Sequence, residues 1–103
     1  MEIQKIFSSS QNVEDLFNKS FENTHVRFGI ATIQPGERLP KEGLTFHEEN
    51  EFSYIMKGTL KGVSGGVPYS IQAGEASIIP AGEQHWCVNE GNEPVQLVYA
   101  LVK

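Results

Sequence analysis

Three side chains in this sequence have the types and spacing for metal chemistry: His47, Glu51 and His85. His47 and Glu51 flank Glu48-Glu49-Asn50, a polar turn between two short apolar stretches. Such a turn can aim both flanking side chains into one interior. His85 follows Pro80-Ala81-Gly82 and opens another apolar stretch. If these strands line one cavity, two imidazoles and one carboxylate converge there. That donor set leaves positions open on a divalent ion, as oxygen-activating non-haem iron needs, and zinc, nickel, manganese and copper accept the same donors. The competing reading keeps the three as buried polar groups that pair with one another and hold no metal.

The elements that must position these residues are read as short strands. Ten glycines and five prolines punctuate the chain between apolar stretches, the rhythm of an all-β domain. Ile3 to Phe7 reads as a first strand and Ser8 to Gln11 as a polar break. Asn12 to Lys19 reads as the one short helix, with Asn12 as cap and Val13, Leu16 and Phe17 as its apolar stripe. Further strands are expected over Val26 to Ile33, Leu44 to His47 and Glu51 to Met56, then around Ile78-Ile79, His85 to Val88 and Val95 to Val102. Thr59 to Val63 and Val67 to Ile71 form a hairpin about Gly65-Gly66. Strands over Glu51 to Met56 and Val95 to Val102 are apolar on both faces, so the outward face must meet the helix, the N-terminal strand or a second subunit, and a homodimer is expected.

Gly74, Pro80, Gly82, His85 and Asn89 fit the order glycine, five residues, proline, one residue, glycine, two residues, histidine, three residues, asparagine. In this the chain resembles a small cupin, whose second sequence motif has that form. The first cupin motif is histidine, one residue, histidine, three or four residues, glutamate, six residues, glycine; His47, Glu51 and Gly58 match its later part. The resemblance spans Pro35 to Asn89. It implies a cupin-type jelly-roll β-barrel, here with one short N-terminal helix: a single domain over residues 1–103, with strand and helix in 1–25 and barrel in 26–103. Cupins of this kind hold a divalent metal through three histidines and a glutamate. Carried over by position, this chain supplies His47, Glu51 and His85, while Thr45 stands in place of the first motif histidine and Leu39 in place of an earlier glycine. Thr45 shares a strand face with His47; its hydroxyl is a poor ligand but can bond a water or substrate at the metal. The metal is expected to be iron, manganese, nickel, copper or zinc.

Other residues are read more plainly. Cys87 lies two positions beyond His85 and lines the pocket, as a small buried hydrophobe or as an oxidisable thiol. Trp86 faces away, into outer packing or a subunit contact, and Asn89 closes a turn on nearby backbone. His25, Glu48 and Glu49 are read as solvated, and Arg27 and Lys57 are cations that could attract an anionic substrate, though nothing in the sequence singles them out.

Eight Lys+Arg against thirteen Asp+Glu give a net charge of −5, which argues against a nucleic-acid partner or an anionic membrane surface. No apolar run nears the roughly 20 residues of a bilayer span. The opening MEIQKIFSSS lacks the apolar core of a secretory signal, and the single Cys87 has no internal disulfide partner, so a cytoplasmic setting is expected. The resemblance implies a metal-dependent enzyme of dioxygenase, isomerase or lyase type acting on a small polar metabolite. Its alternative is a non-catalytic module that binds or senses a sugar or carboxylate. Whether the chain is an enzyme stays open at this level.

Overall fold

The computed structural model describes residues 1–6 and 12–103. Among the described residues nine strands follow in chain order: β1 (Val13–Phe21), β2 (Thr24–Ile33), β3 (Arg38–Leu39), β4 (Asn50–Lys57), β5 (Thr59–Ser64), β6 (Val67–Gln72), β7 (Ala76–Ile79), β8 (His85–Val88) and β9 (Val95–Val102). They pair antiparallel in a five-stranded sheet, β1-β2-β9-β4-β7, and a four-stranded sheet, β3-β8-β5-β6. This is the all-β jelly-roll barrel expected. β9 shows why the segments fold so: it is rich in valine, and burial alternates along it, with Val95, Leu97, Tyr99 and Leu101 buried on the inner face. The β5–β6 hairpin closes through Gly65 and Gly66, both with positive φ (58° and 79°), the backbone that a two-residue turn matching strand twist demands.

Strand register grades the interior from apolar to polar. In the larger sheet, Ile33 pairs with Val95 at one end, followed by the row Ala31, Leu97 and Ile55. Next come Gly29, Tyr99 and Ser53, and last Arg27, Leu101 and Glu51. In the smaller sheet, Leu60 pairs with Ile71, then Gly62 with Tyr69 and Cys87, then Ser64 with His85. The apolar end is the tight core, where Ile33 and Ile55 are 1% exposed and Val95 is 0% exposed. Asn89 is buried there too, and its amide donates to Ile33 O at 2.9 Å and to Glu93 O at 2.7 Å while Oδ1 accepts from Gly91 N–H at 2.9 Å. The expected turn closure is present, and the same side chain also ties the turn to β2.

Three local expectations are corrected. The expected Asn12–Lys19 helix is strand β1, paired with β2 along its length. Its register shifts between Asp15 and Phe17, so Leu16 is the extra residue of a bulge. The bulge breaks the alternation of period two and leaves Val13, Leu16 and Phe17 at helix-like spacing. The strand expected over Ile3 to Phe7 is absent from the described part of that range, where Ile3 and Ile6 are exposed, and Phe7 and the break over Ser8 to Gln11 lie outside the described residues. The strand expected over Leu44 to His47 reduces to one bridge between Thr45 and His85.

Candidate metal centre

His47, Glu51 and His85 meet at the polar end of the barrel. Glu51 comes from β4 and faces inward with Ser53 and Ile55 because a strand repeats every two residues. His85 is the first residue of β8 and is buried. His47 sits in the loop ahead of β4, and that loop is fastened to the loop ahead of β8. Gly82 N–H donates to His47 O at 2.8 Å, and Ala81 N–H donates to Asn50 Oδ1 at 3.0 Å. Gly82 has φ of 82°, a conformation that favours glycine and here presents its N–H to His47.

One ligand atom from each of His47, Glu51 and His85 can be chosen so that all lie within 4.8 Å of one another. His47 Nε2 stands 3.3 Å from Glu51 Oε1, and the two imidazole centroids are 5.2 Å apart. His85 Nδ1 is 3.0 Å from Glu83 O. A carbonyl can only accept, so this contact fixes the proton on Nδ1 and leaves the Nε2 lone pair for a ligand, the arrangement by which proteins orient metal-binding histidines. Two imidazole nitrogens and one carboxylate oxygen in this cluster are a donor set that suits a divalent transition metal.

Residues 29–101 match the family model for the cupin domain. The chain belongs to the cupin family. Over 73 residues it is 30% identical to protein SchB of Streptomyces halstedii, covering 71% of this chain and 51% of that protein. The cupin thus spans about half the length of that curated relative. Among solved structures it is similar to a Cupin 2 conserved barrel domain protein from Salinispora arenicola, with TM-score 0.75, 24% identity, and coverage of 98% of this chain and 87% of that one. A predicted oxalate decarboxylase from Thermotoga maritima gives TM-score 0.68 at 21% identity, covering 97% of each chain. These two likenesses establish the fold.

A cavity of about 700 Å³ runs from the cupin's histidine–glutamate cluster to the tight core. Thr45 and Cys87 both line it. Burial, then the Glu51 charge, pushes the Cys87 thiol up to about 11. Burial foremost, then Cys87 and Glu51, raises the Tyr69 phenol as well. Both groups are protonated near neutral pH, which fits the reading of Cys87 as a small buried hydrophobe.

The remaining singled-out residues lie apart from the cluster. His25 bonds Asn18 at the β1–β2 end, and Glu48 pairs with Lys103 at 2.6 Å. Trp86 faces outward under the Arg38 guanidinium, 4.4 Å from its ring centroid. Lys57 is exposed at the end of β4. Arg27 reaches the cavity but is held by Asp15 at 3.2 Å and Glu49 at 3.6 Å. Sequence reasoning missed Tyr69, Asn50 and Glu83. Tyr69 had a signal: its ring lies against Gly62, where an added Cβ would stand 2.8 Å from the phenol oxygen. Glu83 acts on His85 through its backbone carbonyl, which carries no sequence signal.

Proposed function

We propose that His47, Glu51 and His85 hold a divalent transition metal, one of iron, manganese, nickel, copper or zinc, and that the cupin is a metal-dependent enzyme of dioxygenase, isomerase or lyase type. The observation that carries this is the cluster itself: three donors within reach of one ion, with His85 oriented by Glu83 O. When bound, such an ion supplies Lewis acidity that polarises a substrate oxygen, with redox capacity added by iron, manganese or copper. The protein's residues do the rest. Thr45 offers a hydroxyl to orient a small-molecule substrate, Tyr69 offers a phenol O–H further in, and the apolar wall excludes water from that end.

A second reading, a binding or sensing module, draws support from the other carboxylates in the cavity. Glu83 accepts from Ser64 Oγ at 2.6 Å and Glu75 accepts from Gln72 N–H at 2.9 Å. Neither stands free as a general base.

We also propose that a second copy covers the outer face of the larger sheet, in a cytoplasmic homodimer. Phe17, Phe28, Ala100, Phe52 and Ile78 form one register row across all five strands, with Tyr54 in the next row. Phe52, Tyr54 and Ile78 are 46%, 48% and 55% exposed, so this face is apolar and uncovered in the single chain.

Elemental analysis of untagged protein beside a His47→Ala/His85→Ala variant tests the metal. Near-stoichiometric metal lost in the variant supports the assignment; equal content in both defeats it. Turnover that disappears in His85→Ala while the fold persists decides for the enzyme over the binding module.

A further inference from the structure

We infer that the substrate is an uncharged molecule with an apolar body and an oxygen-bearing end, and that dianions such as oxalate are poor ligands. This rests on the metal reading above and narrows its substrate class. The carrying observation is a mismatch between the cavity's size and its charge.

The cavity of about 700 Å³ is far larger than a two-carbon acid needs. Beyond the histidine–glutamate end its apolar wall is Ile33, Leu39, Ile55, Leu60, Ile71 and Leu97, from both sheets, with Ser53 one register row nearer the cluster. That wall offers no hydrogen bond from its side chains, so a polar substrate body would lose its hydration there without replacement. An apolar body instead gains from leaving water. Between wall and cluster stand Tyr69 and Thr45, neutral groups suited to one or two oxygen atoms.

The charge runs the same way. Among the described residues lining the cavity, the carboxylates are Glu51, Glu75 and Glu83, no lysine is present, and Arg27 is the one permanent cation. Arg27 is already shared between Asp15 and Glu49, so it has no charge to spare for a ligand. A divalent ion on His47, Glu51 and His85 leaves one net positive charge at the cluster. A chelator that gives up one proton on binding balances that charge. A dianion overshoots it, and its second charge meets Glu83 with no free cation to receive it.

Zinc-loaded protein titrated calorimetrically with benzohydroxamate, acetohydroxamate and oxalate tests this. The two hydroxamates share one zinc-binding group and differ only in their apolar body. Benzohydroxamate should bind about tenfold tighter than acetohydroxamate. Oxalate, after division by each compound's affinity for free zinc, should bind at least about tenfold more weakly than acetohydroxamate. The Asp15→Asn/Glu49→Gln variant releases Arg27 while keeping both shapes, and oxalate binding should tighten severalfold in it. Oxalate binding as tight as acetohydroxamate, or no gain from the phenyl ring, overturns the inference and leaves the metal reading intact. Zinc taken up no better by wild type than by His47→Ala/His85→Ala removes the metal reading, and this inference with it.

Discussion

Thr45 and His85 exchange both backbone hydrogen bonds, Thr45 N–H to His85 O at 3.0 Å and His85 N–H to Thr45 O at 2.9 Å. Residues paired this way point their side chains to one face. The threonine therefore lies beside the buried imidazole. Thr45→His should add a fourth donor and slow metal loss to a chelator, with affinity rising on the order of tenfold. Thr45→Val should leave metal content unchanged, since the hydroxyl is not among the proposed ligands. Competition with a chromogenic chelator reads both. Unaltered affinity in Thr45→His would mean that the bridge does not aim this position at the ion.

Asn89, the last residue of the second motif match, belongs to the fold rather than to the chemistry. It is 1% exposed and serves two carbonyls and one N–H. Asn89→Ala would strand these groups in the core. The expected loss is about 3 kcal/mol, since each buried polar group left unpaired costs roughly 1–3 kcal/mol. Urea unfolding at neutral pH measures it. Metal content in the folded fraction should hold, because no ligand touches Asn89.

How much of this was legible in sequence depends on distance along the chain. Gly74 to Asn89 sets a local path of turns and two short strands, β7 and β8, so its five matching residues locate His85 directly. His47 and Glu51 were legible as a turn between strands, and the inward phase of β4 followed from alternation. The bulge at Leu16 was not legible, because an extra residue changes the apolar period only when a partner strand defines it. The two-way hold on Arg27 was hidden for a similar reason: Asp15 and Glu49 are distant in sequence and meet it only through the β1–β2 pairing and the loop before β4. Arg27, read from sequence as a cation for an anionic substrate, is already neutralised.

The outer sheet face yields a prediction on assembly. Tyr54 is 48% exposed in an apolar field shared with Phe52 and Val98. Tyr54→Glu would place a charge at the centre of the proposed contact, where its desolvation opposes association. Wild type should sediment as a dimer and Tyr54→Glu as a monomer with unchanged metal content. A wild-type monomer at tens of micromolar, in the same experiment, removes the second copy as the cover for this face.

Stability should fall in alkali, and the cause can be assigned. The Tyr99 phenol donates to Asp15, which also holds Arg27. Burial, then that hydrogen bond and the Asp15 charge, raises the Tyr99 phenol above its ordinary value of 10.0, and burial does the same to Tyr69. A group with a raised folded pKa contributes stability that is whole below its unfolded value and is lost as pH climbs through the folded one. Cys87, raised from 9.0 to about 11, starts the decline first, and the tyrosines extend it from 10.0 upward. Wild type should therefore lose urea midpoint steadily between about pH 9 and pH 11. Tyr99→Phe should start roughly 1–2 kcal/mol lower at neutral pH, having lost one bond to a charged acceptor, yet decline less steeply above pH 10. An equal slope in wild type and variant would place the alkaline sensitivity outside the Tyr99–Asp15 pair.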